Sequence, residues 1–325
     1  MIKTLFSGIQ PTGEIHLGNY LGALKNWVDL QNQYNCFYSI VDLHAITIDY
    51  DPKVYQEKIL NTAMDLLAIG LDPKRSCLFV QSHVPEHTEL CWLLNTLTPI
   101  SELERMTQFK DKSSQHKQNI NAGLFGYPIL QAADILLYHG EYVPVGQDQL
   151  QHLELTNTIL RKFNNKFGEY FTGIKPIISN GARIMSLNDP AKKMSKSLGP
   201  AHYIALNDDP ETVKKKIMSA VTDVGPTTNG QMSAGVKNLF TLLELLADQK
   251  ICQKFQKAYD SQILKYSELK TELAEAIISF LQPIQDKKKN LDKKKVQKIL
   301  NDGAKKARLT AQKNILEIKQ RMGLI

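Results

Sequence analysis

The alternation of short apolar runs with segments of helical period over the first eighty residues constrains the fold more than any other feature of this chain. Lys3–Ser7 reads as a strand and is followed by a Pro11-Thr12-Gly13 turn. Leu17, Tyr20, Leu21, Leu24 and Val28 then recur at helical spacing. Cys36–Val41 (CFYSIV) and Cys77–Gln81 (CLFVQ) are of buried-strand type, and Pro52–Leu67 between them keeps helical period behind an Asp51-Pro52 start. Strand, helix, strand, helix in this order predicts an α/β fold with a parallel sheet and right-handed crossovers. Further on, Glu86–Leu97, Glu102–Phe109, Tyr127–Tyr138 and Gln147–Phe163 read as helices, Val143-Pro144-Val145 as a short strand, and Lys110–Asn121 as a polar stretch. Beyond Pro200 the strand signals fade. Pro210–Ala220, Val236–Leu246, Ile251–Tyr266, Ser267–Leu281 and Lys293–Met322 all keep helical period. A boundary is therefore expected near residue 200. It gives an α/β domain over 1–200 with a helical insertion near 82–138, and a smaller all-helical domain over 201–325.

Charge is unevenly spread along this plan. Residues 286–325 carry 13 Lys/Arg against 4 Asp/Glu, or +9, so within a total of +7 the preceding 285 residues sum to −2. A basic tail on a near-neutral body suits a polyanionic partner, nucleic acid being the usual one. Equally, the lysines could solvate one face of an amphipathic helix. Cys36, Cys77, Cys91 and Cys252 lie far apart without a CxxC pair, which argues against a zinc site or disulfide framework and fits a reducing cytoplasm. No apolar run reaches the roughly 18 residues of a membrane helix, and the N-terminus does not read as a signal peptide. Neither a membrane nor DNA is expected as a partner.

Three segments carry chemistry. Gly8-Ile9-Gln10-Pro11-Thr12-Gly13 leads into His16-Leu17-Gly18-Asn19, between the first strand and the first helix. Ligands of open parallel sheets bind outside the carboxyl ends of the strands, and a helix N-terminus there offers N–H groups to phosphate. Gly13 permits a tight turn, Gly18 a close approach to the backbone, and His16 can donate to phosphate oxygens. Taken alone, this segment also reads as a plain turn with a chance histidine. The second segment is Lys193-Met194-Ser195-Lys196-Ser197, a cationic clamp for the charge that develops on a departing pyrophosphate. In the third, Asp134 stands among Ala, Ile and Leu on a helix, where burial is costly unless the carboxylate is paired. It is either a ligand for a substrate N–H, gaining that partner on binding, or a structural aspartate bonded to its neighbours.

Together these segments resemble the class I aminoacyl-tRNA synthetases, whose paired signatures are matched by PxxxxHxGN and by KMSKS 177 residues after His16. GIQPTG, LERMTQFKDK (103–112), ADILLY (133–138), GQDQ (146–149) and GARIMSL (181–187) resemble the tryptophanyl branch, from about Lys3 to the C-terminus. The resemblance implies a Rossmann-like catalytic domain, a helical anticodon-binding domain, and activation of L-tryptophan by ATP, with Mg²⁺, for transfer to tRNA(Trp). It assigns ATP to Gln10, Pro11, Thr12, His16, Gly18, Asn19, Gly146, Gln147, Asp148 and Ile184, and to the loop residues Lys193, Met194, Ser195, Lys196 and Ser197. It gives Lys112, Lys193 and Lys196 the phosphates, hence the catalytic role, and implies no metal ligands. Asp134 would read the indole, with Phe6, His44, Gln131, Val143 and Val145 around it. Asn19 replaces a histidine common in the family, Gln147 stands where Glu is usual, and Gln131 where some members have Met.

Alternatives remain at this point. Tyr127, Gln131 and Asp134 form YxxxQxxD, similar to the amino-acid pattern of tyrosyl-tRNA synthetases. A small-molecule adenylyltransferase shares the first turn but has no use for KMSKS, and a silent RNA-binding relative would be expected to show damaged signatures. His83, His87, His116, His139, His152 and His202 show no metal-ligand spacing and read mostly as surface or capping residues. The resemblance also implies a homodimer assembled largely through residues 81–138, where Leu90, Trp92, Leu93, Leu94 and Leu97 exceed the needs of one helix face; an ordinary buried helix is the alternative reading of the same residues.

Overall fold

The structure, a computed structural model, describes residues 2–107, 120–146, 149–178, 183–223 and 232–325. In chain order it contains β1 (Thr4–Ile9), a helical stretch through Leu17–Asn19, Tyr20–Leu24 and Lys25–Leu30 with a π-helical middle, β2 (Asn35–Ile40), a short helix Asp42–Ala45, and α1 (Pro52–Ala68). Then follow β3 (Ser76–Val80), α2 (Glu86–Asn95), a short helix Ile100–Glu104, α3 (Ala122–Leu136), β4 (Tyr142–Val145), α4 (Leu150–Phe167) and β5 (Lys175–Ile178). The last part holds α5 (Pro210–Ser219), α6 (Ala234–Leu246), α7 (Gln249–Asp260), α8 (Tyr266–Lys289) and α9 (Lys293–Arg321). No described helix is long and apolar enough to cross a membrane.

The sheet has the order β3-β2-β1-β4-β5 and every pairing is parallel. The chain winds outward from β1 through β2 to β3, then returns to add β4 and β5 on the other side. The reversal of direction falls between β1 and β4, where doubly wound sheets open a crevice at their carboxyl ends. The parallel α/β expectation is met. β5 has no counterpart in the sequence reading: it is a four-residue KPII run on the sheet edge, and only Ile177 in it is even partly buried. The expected Tyr127–Tyr138 helix begins earlier, at Ala122, because the Asn121 side chain caps it by accepting from Leu124 N–H.

The chain forms two compact units whose limits differ from a cut at residue 200. One, the sheet unit, comprises Met1–Gly13, Asn26–Ser179 and Leu291–Ile325; the other, the helical unit, comprises Glu14–Lys25 and Asn180–Asn290. Two local causes explain the difference. Residues 14–17 pair with 204–206 through Leu17 N–H to Ile204 O at 2.8 Å and Leu206 N–H to Ile15 O at 2.9 Å. The C-terminal helix α9 packs on β3 of the sheet unit, burying Val296, Leu300, Ala304, Ala307, Ala311, Ile315 and Ile318 along one stripe. Fading strand signals mark where the sheet ends in sequence, and say nothing about a late helix returning to cover it.

Close approach of α9 depends on Gly303, where an added Cβ would run into the Leu78 carbonyl. Gly303 O also accepts the Cys77 thiol at 3.2 Å. Gly303→Ala is expected to destabilise the protein by about 2 kcal/mol or more, the scale of overpacking. Gly126→Ala in α3, with nothing within 4 Å of the new methyl, should be neutral or stabilise by up to about 1 kcal/mol. Thermal unfolding of the two variants checks the contrast, and equal effects would rule out the close packing.

Candidate active site

At the carboxyl ends of the strands, the sheet unit gathers one group of candidate residues. β1 presents buried Phe6 and then runs into Gln10, Pro11 and Thr12, with Gly13 at φ +124°, a conformation suited to glycine. β2 is followed by the Asp42–Ala45 helix carrying His44, β3 by Gln81, and β4 supplies buried Val143 and Val145 before exposed Gly146. Tyr138 stacks on Phe6 (5.8 Å, 6°) and on Phe37 (4.4 Å, 19°), and meets Phe79 edge-on at 5.7 Å. These rings make an apolar cluster beneath one charge.

That charge is Asp134, 1% exposed on α3. Its Oδ2 lies 2.7 Å from His44 Nε2, and its Oδ1 accepts from Gln81 Nε2 at 2.7 Å and lies 2.6 Å from His87 Nδ1. Burial alone would raise its pKa, but His44 and then His87 outweigh burial and hold the carboxyl below its ordinary value. Asp134 is therefore ionised and acceptor-only, so His44 Nε2 and His87 Nδ1 must be the donors. His87 passes the chain on, its Nε2 lying 2.8 Å from the Tyr138 hydroxyl. Burial and the Asp134 charge push that phenol well above its usual range, so it stays protonated and can donate. Gln81 also accepts the Leu43 N–H through Oε1 at 3.2 Å, tying the β3 end to the helix that bears His44.

Two expectations change here. Asp134 does not wait for a substrate to gain its partner, because the chain itself supplies three. His87 is completely buried, and His152 is 1% exposed with Nε2 2.9 Å from the Tyr127 hydroxyl, so neither is a surface histidine. Gln81 and His87 were missed as site residues. The signal available for Gln81 was a polar residue closing an otherwise apolar run; for His87 there was none, its acid partner lying 47 positions away. Gln131, half-buried, stands one turn before Asp134 on the same helix.

The helical unit gathers the second group. His16 caps the helix it begins: Nδ1 accepts the Asn19 N–H at 3.2 Å, while Asn19 Oδ1 accepts the His16 N–H at 3.3 Å. The KMSKS strand pairs with Ile184–Ser186, Met194 N–H donating to Ile184 O at 3.0 Å, and Met194 and Ile184 are both buried. A Cβ on Gly18 would come within 3.1 Å of the His16 ring and 3.2 Å of Met194 Cβ. Two motifs 177 residues apart thus meet at Gly18. Ser195 caps the turn that follows by accepting the Ser197 N–H at 3.3 Å, and Lys193 is exposed. Lys112, Gln147 and Asp148 lie outside the described residues.

Burial, then Lys196, then Lys193 lower the His16 pKa to about 4. With Nδ1 engaged as an acceptor, the neutral ring carries its proton on Nε2 and offers an N–H donor beside two ammonium groups. Such a set favours a polyphosphate.

A parallel sheet with its crevice at the β1/β4 reversal, a buried acceptor beside aromatic rings, and a histidine-lysine cluster fit the class I amino-acid-activating ligases. Residues 3–282 match the family described as tRNA synthetases class I (W and Y). The chain is 47% identical to the tryptophan–tRNA ligase of Caldanaerobacter subterraneus subsp. tengcongensis, over 100% of this chain and 99% of that protein. It is also 47% identical to that of Helicobacter pylori, with 99% of each covered. A solved tryptophanyl-tRNA synthetase from Campylobacter jejuni, complexed with ADP and tryptophan, matches with a TM-score of 0.88 at 34% identity, over 98% of this chain and 99% of that one. The chain belongs to the class I tRNA synthetases of tryptophan and tyrosine, and within them to the bacterial tryptophan–tRNA ligases. The tyrosine alternative raised by YxxxQxxD falls away.

Because the His16 pKa is depressed from 6.5, the unfolded chain takes up this proton first as pH falls. The stability that neutral His16 contributes is complete above about 6.5 and is lost as pH drops toward about 4. Imidazole ¹H–¹⁵N spectra should show the Nε2–H tautomer at neutral pH and a midpoint near 4; a midpoint near 6.5 would refute the burial argument.

Proposed function

We propose that the chain activates L-tryptophan with ATP and transfers it to tRNA(Trp), with Asp134 reading the indole N–H and His16, Lys193 and Lys196 meeting the phosphates. The observation that carries the reading is the ionised, buried Asp134 above an aromatic cluster. A carboxylate accepts about four hydrogen bonds, and Oδ2 has only His44 among the described residues, which leaves room for one more donor. A buried acceptor of this kind rejects side chains that cannot donate. Phe6, His44, Gln131, Val143 and Val145 would line the amino-acid pocket. Gln10, Pro11, Thr12, Gly18, Asn19, Gly146, Gln147, Asp148 and Ile184 would hold the nucleotide with Met194, Ser195 and Ser197, while Lys112 joins the two loop lysines on the phosphates.

In the first half-reaction a carboxylate oxygen of tryptophan bonds to the α-phosphorus of ATP, and the bond to the bridging oxygen breaks, releasing pyrophosphate. The nucleophile is already ionised, so no general base is needed; alignment and charge stabilisation do the work. Mg²⁺ enters with ATP as part of the substrate. In the second, the tRNA 3′ hydroxyl attacks the aminoacyl carbonyl and AMP leaves. The reaction belongs in the cytoplasm, where tRNA is charged.

The basic residues at the start of α9 would attract tRNA phosphates: Lys293, Lys294 and Lys295 are all exposed, although Lys293 lies 3.8 Å from Glu57. The helical unit would serve the anticodon end. A homodimer would cover Trp92 and Ile100, which are 71% and 66% exposed, whereas Leu90 and Leu94 of the expected interface already fill the core of their own subunit.

Pyrophosphate exchange should be stimulated by tryptophan and not by tyrosine, and Lys196→Ala should slow it by ~10²-fold through kcat. A change confined to the KM for ATP would make Lys196 a uniform binding residue. Neutralising Lys293, Lys294 and Lys295 together should weaken tRNA charging and flatten its salt dependence while leaving exchange unaltered. Loss of exchange with unchanged tRNA affinity would show these lysines to be only a solvated face.

A further inference from the structure

Asp134 depends on neighbours that themselves need holding. His87 is the second residue of α2, and α2 starts at Pro85 with no side-chain cap. Its first turn is held from a distant part of the sequence. Arg308 on α9 places Nε 3.0 Å from Glu86 Oε1, with the Glu86 side chain 7% exposed and that of Arg308 48% exposed. Among the described residues, Glu86 Oε2 is buried without a partner, so the carboxylate is compensated by Arg308 alone. One turn further, Lys319 Nζ lies 3.0 Å from Glu89 Oε1. The same helix grips the element that carries Asp134: buried Asn314 donates from Nδ2 to Leu137 O at 2.8 Å, just past the end of α3. Both members of the 2.6 Å His87–Asp134 hydrogen bond are therefore anchored to α9.

We propose that α9 sets the geometry of the indole acceptor, with Arg308 and Asn314 as positioning residues that touch no substrate. The proposal rests on Asp134 being that acceptor. A site of this kind tolerates displacements of only about 0.5 Å, and a short hydrogen bond to a buried charge is the part most sensitive to them. Without Arg308, the Glu86 carboxylate is a buried charge with nothing to offset it, which is strongly unfavourable. It relaxes by turning toward water and draws the first turn of α2, and His87 with it, away from Asp134. Tryptophan recognition weakens, while the nucleotide contacts, made by other residues, do not.

The test is tryptophan-dependent ATP–pyrophosphate exchange on the full-length protein, with KM for tryptophan, KM for ATP, kcat and thermal midpoint measured for each variant. Arg308→Gln should raise the tryptophan KM about tenfold, the scale of a sub-ångström misplacement, with the ATP KM within about twofold. Arg308→Lys should recover most of the loss. Adding Glu86→Gln to Arg308→Gln should also recover part of it, because the buried charge is gone. Asp134→Asn is measured in parallel. If it raises the tryptophan KM strongly while Arg308→Gln shifts only the thermal midpoint, the α9 proposal is overturned and the Asp134 reading stands. If Asp134→Asn leaves the tryptophan KM unchanged, the Asp134 reading fails and the proposal falls with it. Should Arg308→Gln not fold, Lys319→Gln, which breaks the partly exposed pair with Glu89 one turn along α2, reads out the same constant, and an unchanged value there also overturns the proposal.

Discussion

Burying an ionised carboxylate costs several kcal/mol even after a protein relaxes around it, and much of the sheet unit is arranged to meet that demand at Asp134. Three donors converge on it from three places: Gln81 at the end of β3, His44 after β2, and His87 on α2. His44 comes from the connection that follows β2, and Gln81 and His87 from the one that follows β3, so the carboxylate is satisfied only when β2, β3, α2 and α3 are all in register. Apolar rings alone could pack in several ways. A hydrogen-bonded charge beside them selects one arrangement, and the Tyr138 hydroxyl at the far end of His87 extends that selection to the rings of Phe6, Phe37 and Phe79.

The helical unit uses charge in the opposite way. Lys193 and Lys196 lie close enough to His16 to depress its protonation, so cationic groups gather around one neutral imidazole. Cations gathered in this way interact favourably with an anion that carries several negative oxygens. The cap at His16 and the strand pairing at Met194 are what keep the cations from spreading apart.

How much of this could be read from residues alone follows the range of the interactions. β1 to β4 were legible because each is a local apolar run, and KMSKS because its string is distinctive. β5 was not, since a four-residue, largely exposed edge strand carries no such signal. Asp134 could be singled out as a buried acid that needs a partner, but the partners sit 90, 53 and 47 positions away and no spacing rule reaches them. The return of α9 to the sheet was likewise hidden. Its Ala304, Ala307 and Ala311 read only as part of a helical period, and only the nearness of the Leu78 carbonyl explains why position 303 is a glycine.

That return has a consequence for how the molecule is made. Cys77 and Gly303 touch across 226 positions, so one face of β3 has no cover until the last helix exists. Ribosomes add about 5–20 residues per second, so the nascent chain carries this bare apolar strand for roughly 10–40 s before α9 emerges. Folding of the sheet unit is thus completed only once α9 has emerged, closed by a contact of very high sequence separation. The interval before α9 emerges is the stage at which the bare strand is most exposed to aggregation, and the stage at which a chaperone would find it.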